Sequence, residues 1–491
     1  MGLYQEDLTP TGVDNHYMYK LTDYLALGSA LEKLDSSFTF AKLNSIITAG
    51  SNDMAGSYEG ALDALRRMLL DKNTGALPTG DASNSAASRV VYHQALKQLT
   101  ESPAFTSLQG KLLIKASDAS DLRAAARNSF AALVALQDLS PFSFTGKDAE
   151  ADGVLNTVWQ QTRASDYAAW EADKSMSTPS TFTDQWIHDR AAMLGKLVER
   201  NTDDKQGILP GSQNLRYYDV TSKTQILVGS GDAQRSQYIF GSEKNDDEPV
   251  MLGQGFDDHL YGGGGIDTLK GQGGKDHLEG GTGNDFLIGG AGNDVLLGGE
   301  GFDTYTYTTG DGADIIRDSD KRGVIVWDNK TLTGGSISTG DRSWRDANGR
   351  TYVETDKGLL IDGKVLVEGW KNGDLGLQMA KAPAAQNPVE GRVVRGDPQI
   401  LSTLLSNSDG LPERSKPVRW YSTPTDGRPT APEGFSYVDY FLVDANGNPV
   451  SGGGGAYDDD LTDWNPNQGS AVWGDLSIYS GAGNDHVTAV F

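Results

Sequence analysis

Acidic side chains at a fixed spacing are the residues of this chain best suited to chemistry. Six aspartates follow one another every nine residues: Asp258, Asp267, Asp276, Asp285, Asp294 and Asp303. Around most of them the chain reads G-G-x-G-x-D-x-U-x, where U is a large apolar residue. Carboxylate and carbonyl oxygens are the ligands that calcium prefers. Because the nine-residue phase holds across all six copies, the pattern predicts calcium sites rather than a flexible glycine-rich linker.

The glycines indicate how these aspartates come together. Each repeat should form a short strand and a glycine turn, so two nine-residue repeats make one coil of 18 residues. Stacked strands lie about 4.7–4.9 Å apart and calcium–oxygen distances are about 2.3–2.6 Å, so one ion fits between two stacked turns. Aspartates that share an ion should then be 18 residues apart. The expected pairs are Asp267 with Asp285, Asp276 with Asp294, Asp285 with Asp303 and, more weakly, Asp258 with Asp276.

The remaining oxygen ligands should come from the turns, since calcium takes about six to eight. A looser copy closes the array and adds Asp314, and beyond it Asp318 and Asp320 are candidates for a last ion. About three to six ions are expected in total. The glycines of the predicted sites are Gly262, Gly263, Gly265, Gly271, Gly274, Gly280, Gly281, Gly283, Gly289, Gly290, Gly292, Gly298, Gly299 and Gly301. The U residues that should form the thin core are Leu260, Leu269, Leu278, Leu287, Leu296 and Tyr305.

Composition limits the class of protein. The 491-residue chain has a net charge of −25 and no cysteine. The negative charge argues against nucleic acid and anionic membranes as partners, and the lack of cysteine excludes disulfides and Cys-based zinc sites. No N-terminal signal peptide and no transmembrane segment is expected. Without metal the stacked carboxylates repel one another, so calcium binding and folding should be coupled.

The predicted fold class is multidomain α+β. Apolar residues at helical spacing predict an all-α domain over residues 1–205. Residues 206–252 are expected to be a linker with degenerate repeats, and residues 253–320 a calcium-binding parallel β-roll. Hairpin signals such as Asn348-Gly349 and Asp362-Gly363 predict a β-rich cap over residues 321–380. Residues 381–491 are richer in proline and glycine and carry one isolated repeat at 480–488.

The repeats resemble those of the RTX (repeats-in-toxin) family of haemolysin-type calcium-binding proteins. The specific motif covers residues 253–320, with one more copy at 481–487. The resemblance implies a secreted, extracellular protein of a Gram-negative bacterium, exported by a type I secretion machinery and folded by calcium outside the cell. It also assigns calcium to the repeat aspartates and neighbouring glycine carbonyls. Gln272 replaces the second glycine of its copy, which puts the geometry of that turn in doubt.

No complete catalytic motif is present, because the chain contains neither H-E-x-x-H nor G-x-S-x-G. The favoured interpretation is a calcium-binding RTX module with a helical passenger whose target is unknown. A second is the C-terminal part of a larger lipase-like RTX hydrolase, in which His16 would complete a triad with a serine upstream. A third is an extracellular adhesin-like protein. Asp397-Pro398 is a candidate self-cleavage bond, although an ordinary turn is the simpler interpretation.

Overall fold

The structure is a computed structural model that describes residues 15–50, 57–70, 77, 86–176, 179–202, 207–231, 234–247, 249–340, 342–380, 440–442, 476–480 and 485–489. The chain divides into two compact units, Met1–Tyr238 and Ile239–Phe491. Among the described residues, no helix has both the length and the apolar character that crossing a bilayer requires.

The first unit is mainly helical. Its apolar residues recur at helical spacing, and large side chains such as Trp159, Phe130 and Tyr58 are fully buried in its core. The helices are α1 (Asn15–Leu34), α2 (Phe40–Gly50), α3 (Ser57–Leu69), α4 (Ala86–Thr100), α5 (Pro103–Leu108), α6 (Ala119–Ala125), α7 (Phe130–Gln137), α8 (Ala149–Thr162), α9 (Ala164–Ser175) and α10 (Asp184–Thr202).

A two-stranded antiparallel sheet interrupts this unit and corrects the expectation of an all-α domain. Strand β1 (Leu112–Ala116) pairs with β2 (Phe142–Gly146), and their alternate residues, including Ile114 and Phe144, are buried. Short apolar runs of this kind cannot be assigned to strand or helix by periodicity alone. Only the pairing of two segments about thirty residues apart, which sequence spacing does not reveal, makes them a sheet.

A buried charge cluster joins three helices of the same unit. Arg89 on α4 pairs with Asp23 on α1 and with Glu59 on α3. Both carboxylates are buried. Burial raises the pKa of each, while the hydrogen bond from Arg89 acts in the opposite direction. One guanidinium therefore compensates two desolvated acids.

Regular strands occupy much of residues 206–240, where a linker was expected. They are β3 (Ile208–Leu209), β4 (Leu215–Asp219), β5 (Thr224–Val228) and β6 (Ser236–Phe240). Strands β4 and β5 form an antiparallel hairpin, and β3 runs parallel to β5. The boundary between the two compact units falls within β6.

The second unit is built around a parallel β-solenoid with two faces. Strands β8, β10, β12 and β14 stack on one face, and β7, β9, β11 and β13 stack on the other. The strands are β7 (His259–Gly264), β8 (Thr268–Gly273), β9 (His277–Thr282), β10 (Phe286–Ala291), β11 (Val295–Glu300), β12 (Asp303–Tyr307), β13 (Asp314–Arg317) and β14 (Gly323–Trp327).

The register of this solenoid confirms the predicted coil. His259 lies beside His277, 18 residues on, and β8, β10 and β12 follow the same step. After Asp303 the step lengthens to 20, because Asp303 lies beside Gly323. All six U residues point inward and are at most 2% exposed. The core is therefore one apolar side chain thick per strand.

Further strands follow the solenoid. Strand β15 (Lys330–Thr331) pairs antiparallel with β14, and β20 (Val365–Glu368) pairs parallel with β13. Between them, β16 (Ile337–Gly340), β17 (Ser343–Arg345), β18 (Thr351–Glu354) and β19 (Gly358–Ile361) form an antiparallel meander that ends at β20. Asp362 and Gly363 both have positive φ between β19 and β20, as a two-residue hairpin turn requires.

The last described strands, β21 (Tyr440–Leu442), β22 (Leu476–Ser480) and β23 (Asp485–Ala489), form an antiparallel sheet. The isolated repeat at 480–488 contributes to β22 and β23, and these described residues pair antiparallel rather than in the parallel manner of the solenoid.

Candidate metal centre in the β-solenoid

The repeat aspartates stack in two rows inside the turns, one row for each face. All six, together with Asp314, are at most 3% exposed. In each row, one carboxylate oxygen, Oδ1, accepts a hydrogen bond from the backbone N–H of the aspartate one coil earlier. The donor–acceptor distances are 2.8 Å for Asp258 to Asp276, 2.8 Å for Asp267 to Asp285, 2.9 Å for Asp276 to Asp294, 2.9 Å for Asp285 to Asp303 and 3.1 Å for Asp294 to Asp314. The structure thus brings together the pairs that the spacing predicted.

The second carboxylate oxygen of five aspartates has no hydrogen-bond donor. It is the buried Oδ2 of Asp267, Asp276, Asp285, Asp294 and Asp303. Leaving an ionised oxygen buried without a partner is strongly unfavourable. Each of these atoms therefore requires a proton or a cation that the polypeptide itself does not supply.

A small cradle lies beside each of these oxygens. At Gly262, an added methyl group would lie 2.5 Å from Asp267 Oδ2 and 2.4 Å from the carbonyl oxygen of Gly280 in the next coil. Gly271 repeats this arrangement, with Asp276 Oδ2 at 2.1 Å and the Gly289 carbonyl oxygen at 2.6 Å. Oxygen atoms from two successive turns therefore converge on one point, and only glycine leaves that point open.

Glycine is also required by the backbone of the turns. Gly283 has φ +132°, and an added Cβ there would lie 1.6 Å from the carbonyl oxygen of Gly265 one coil earlier. A side chain at this position is excluded both by conformation and by space. Gln272, the exception noted in the sequence, keeps the turn at φ +76°, a strained value for a residue with a Cβ.

Electrostatics agree with the geometry. Burial raises the pKa of Asp276 to about 8, and the charges of Asp294 and Asp258 add to the rise. Burial likewise raises the pKa of Asp267 to about 8, of Asp294 to about 7 and of Asp285 to about 6. Hydrogen bonds from the backbone oppose these shifts but do not cancel them. The protein alone disfavours the ionised state that a hard cation would favour.

The donor set fits calcium. It consists of carboxylate and carbonyl oxygens from a flexible stack, which suits a large ion better than the compact octahedron of magnesium. Among the described residues, no group of three or more histidine, cysteine or acidic side chains could hold a metal ion. Each gap in the stack offers two carboxylates, so main-chain carbonyls would have to complete any site. His277 lies outside the turns and contacts Glu279 at 2.6 Å.

One member of a row was missed by the sequence pattern. Asp246 ends the degenerate copy Gly241-Ser242-Glu243-Lys244-Asn245-Asp246, and its N–H donates to Asp267 Oδ1 at 2.7 Å. Its own Oδ2 accepts from Ser242 N–H at 2.6 Å. The signal was the G-x-x-x-N-D remnant, which the 21-residue step to Asp267 placed out of phase.

Two sequence candidates lie where nothing about their side chains is described. His16 falls in the first turn of α1, but its side chain lies outside the described residues, as does the Asp397-Pro398 bond. Their proposed roles stay predictions.

Comparison with known proteins bears on the solenoid alone. The model of the RTX calcium-binding nonapeptide repeat matches residues 252–287 and 271–305. No curated protein sequence matches the chain. Among solved structures, the AlgE6R3 subunit of the Azotobacter vinelandii mannuronan C5-epimerase is similar at 23% identity and a TM-score of 0.12, covering 33% of this chain and 100% of that one. A similarity this low transfers no activity. The repeats of residues 252–305 are RTX calcium-binding nonapeptide repeats, and they form a parallel β-roll.

Proposed function

We propose that this chain is a secreted protein whose β-roll takes up calcium outside the cell and folds as it does so. The observation that carries the proposal is the row of buried carboxylate oxygens without donors, each beside a glycine cradle. A divalent cation supplies the positive charge that these positions lack.

Four gaps have the regular arrangement of two aspartates one coil apart. They are the gaps between Asp267 and Asp285, Asp276 and Asp294, Asp285 and Asp303, and Asp294 and Asp314. In each, the free Oδ2 of the first aspartate and the carbonyls of the glycine turns would hold one ion. The gap between Asp258 and Asp276 is a weaker candidate, because Gln254 N–H already donates to Asp258 Oδ2.

Coupling to folding follows from the charge. Inside the cell, where free calcium is scarce, the stacked carboxylates would oppose formation of the roll and leave the chain extended. This behaviour suits export through a type I secretion machinery, followed by folding in calcium-rich surroundings. The acidic chain, with a net charge of −25, is compatible with that route. The target of the helical unit is not specified by any described feature.

The strands after the roll suit the role of a cap. Strand β20 pairs with β13 and β15 pairs with β14, so both faces continue into antiparallel strands instead of ending at an open edge. An uncovered edge of a parallel stack would invite pairing between molecules. We infer that residues 321–380 protect the end of the roll.

Calcium titration of the full chain, followed by hydrogen–deuterium exchange, tests the proposal. Peptides from residues 259–307 should gain protection cooperatively as calcium is added, and Asp285→Asn should weaken that gain because Asp285 belongs to two gaps. Glu300→Gln is the matched control, since this exposed carboxylate lies in the same kind of turn between Gly299 and Gly301. Protection that is complete in chelator, or equal effects of the two variants, would contradict the proposal.

A further inference from the structure

The turn that closes one face of the roll departs from the repeat pattern. Because Asp303 lies beside Gly323, the six residues Asp318–Gly323 stack over Gly298–Asp303 with a step of 20. Three hydrogen bonds confirm the stacking: Gly301 N–H to Asp320 Oδ2 at 3.0 Å, Asp303 N–H to the Arg322 carbonyl at 3.2 Å, and Ser319 Oγ to the Gly299 carbonyl.

This closing turn exchanges the two functional residue types of the repeat. A regular copy has glycine at the first position and aspartate at the sixth, whereas Asp318-Ser319-Asp320-Lys321-Arg322-Gly323 has aspartate first and glycine sixth. The gap between the last two coils consequently keeps two carboxylates, those of Asp303 and Asp318. The second one approaches from the opposite end of the turn.

Geometry places both carboxylates at the same buried point. An added methyl group at Gly298 would lie 2.2 Å from Asp303 Oδ2 and 2.1 Å from the phenol oxygen of Tyr305. That phenol donates a hydrogen bond to Asp318 Oδ2 at 2.9 Å. Tyr305 thus reaches the point that a glycine carbonyl of the next coil occupies at Gly262 and Gly271.

Charge at this point is uncompensated. Asp303 is fully buried and its Oδ2 has no donor, while Asp318 is 3% exposed. The two cations of the same turn make their printed contacts elsewhere: Lys321 Nζ with the Glu368 carbonyl at 3.3 Å, and Arg322 Nη1 with Asp320 Oδ2 at 3.9 Å. Two desolvated carboxylates beside a neutral phenol need a cation between them.

We propose that one further calcium ion binds between the last two coils through Asp303 and Asp318, with the Tyr305 phenol beside it. The inference rests on the proposed function, since it concerns the same stack of coils. It differs in its ligands, because a side-chain carboxylate takes the place of a glycine carbonyl at the first position. Asp320, the other acidic candidate of this turn, accepts hydrogen bonds from Gly301 and Arg322 instead.

Equilibrium dialysis against calcium, with the bound metal counted by atomic emission, tests the site. The full-length Asp318→Asn variant should hold one ion fewer than the unaltered chain. Asp320→Asn, one neighbour but one along the same turn, should hold the same number, and Asp285→Asn should also lose ions. If Asp285→Asn loses ions and Asp318→Asn loses none, this inference fails while the proposed function stands. If the unaltered chain holds no calcium, both fail.

Terbium luminescence provides a second readout that does not require altering a carboxylate. A lanthanide in this gap would lie beside Tyr305, so excitation of tyrosine should sensitise its emission. Tyr305→Phe should reduce that emission while the number of bound ions is unchanged. This measurement decides the matter if Asp318→Asn disrupts β12 and β14 and loses several ions at once; emission that is unaltered in Tyr305→Phe would overturn the assignment.

Discussion

Removal of calcium should make the stability of the roll fall as pH rises, the reverse of ordinary acid denaturation. The repeat aspartates have pKa values near 3.8 when unfolded and about 6 to about 8 in the folded, metal-free roll, chiefly because they are buried. A folded state with the higher pKa binds more protons than the unfolded state. The stability that protonation provides is therefore present below about pH 4 and is lost progressively as pH rises towards 8.

The size of the effect follows from the same values. One pKa unit corresponds to about 1.4 kcal/mol. The rise from 3.8 to about 6 at Asp285 is then worth about 3 kcal/mol of unfolding free energy, and the rise to about 8 at Asp276 about 6 kcal/mol. Whole domains are stable by only about 5–15 kcal/mol, so a few such groups are sufficient to unfold the metal-free roll at neutral pH.

Hydrogen–deuterium exchange in chelator, with labelling times scaled to the intrinsic exchange rate at each pH, measures this directly. Peptides from residues 259–307 should be protected at pH 5 and lose protection towards pH 8, while peptides from α8 and α10 serve as an internal control. With saturating calcium the pH dependence should disappear above pH 6.

A charge-neutral variant separates the two roles of one carboxylate. Asp285→Asn should stabilise the metal-free roll at pH 7.5 by up to about 3 kcal/mol, because it removes the buried charge. It should weaken the calcium-bound roll, because it removes a ligand shared by two gaps. A metal-free Asp285→Asn protein no more protected than the unaltered chain, or protection that rises with pH in chelator, would refute the reasoning.

Three further variants test the packing. Gly283→Ala should destabilise the calcium-loaded roll by more than about 1 kcal/mol in thermal unfolding, since a Cβ meets the coil below, whereas Gly255→Ala, which has open space, should change little. Leu278→Ala should cost about 2–5 kcal/mol through the cavity it leaves, and retention of the unaltered melting temperature would argue against the inward U positions. Arg89→Leu should cost the helical unit about 3–5 kcal/mol by leaving two buried carboxylates uncompensated; a loss below about 1 kcal/mol at pH 7 would show that the cluster does not depend on this guanidinium.

Much of the roll could be derived from the chain alone, because its contacts repeat at a fixed sequence distance. Strict nine-residue spacing of Asp267, Asp276 and Asp285 determined the coil length, the 18-residue register and the inward row of leucines. Glycine content determined where the turns lie, since positive φ and close coil-to-coil approach admit little else. Local hairpin chemistry at Asp362-Gly363 was legible for the same reason: the information lies within a few residues.

Tertiary structure decided what depends on pairing between segments without a fixed period. The two extra residues after Asp303 changed the register to 20 and brought Asp318, not an aspartate at the sixth position, over Gly298. Which carboxylate oxygen receives an N–H and which is left without a donor is set by the stacking of neighbouring coils. The β1–β2 sheet inside the helical unit likewise exists only because distant segments meet, and a short apolar run adopts whichever secondary structure its partners stabilise.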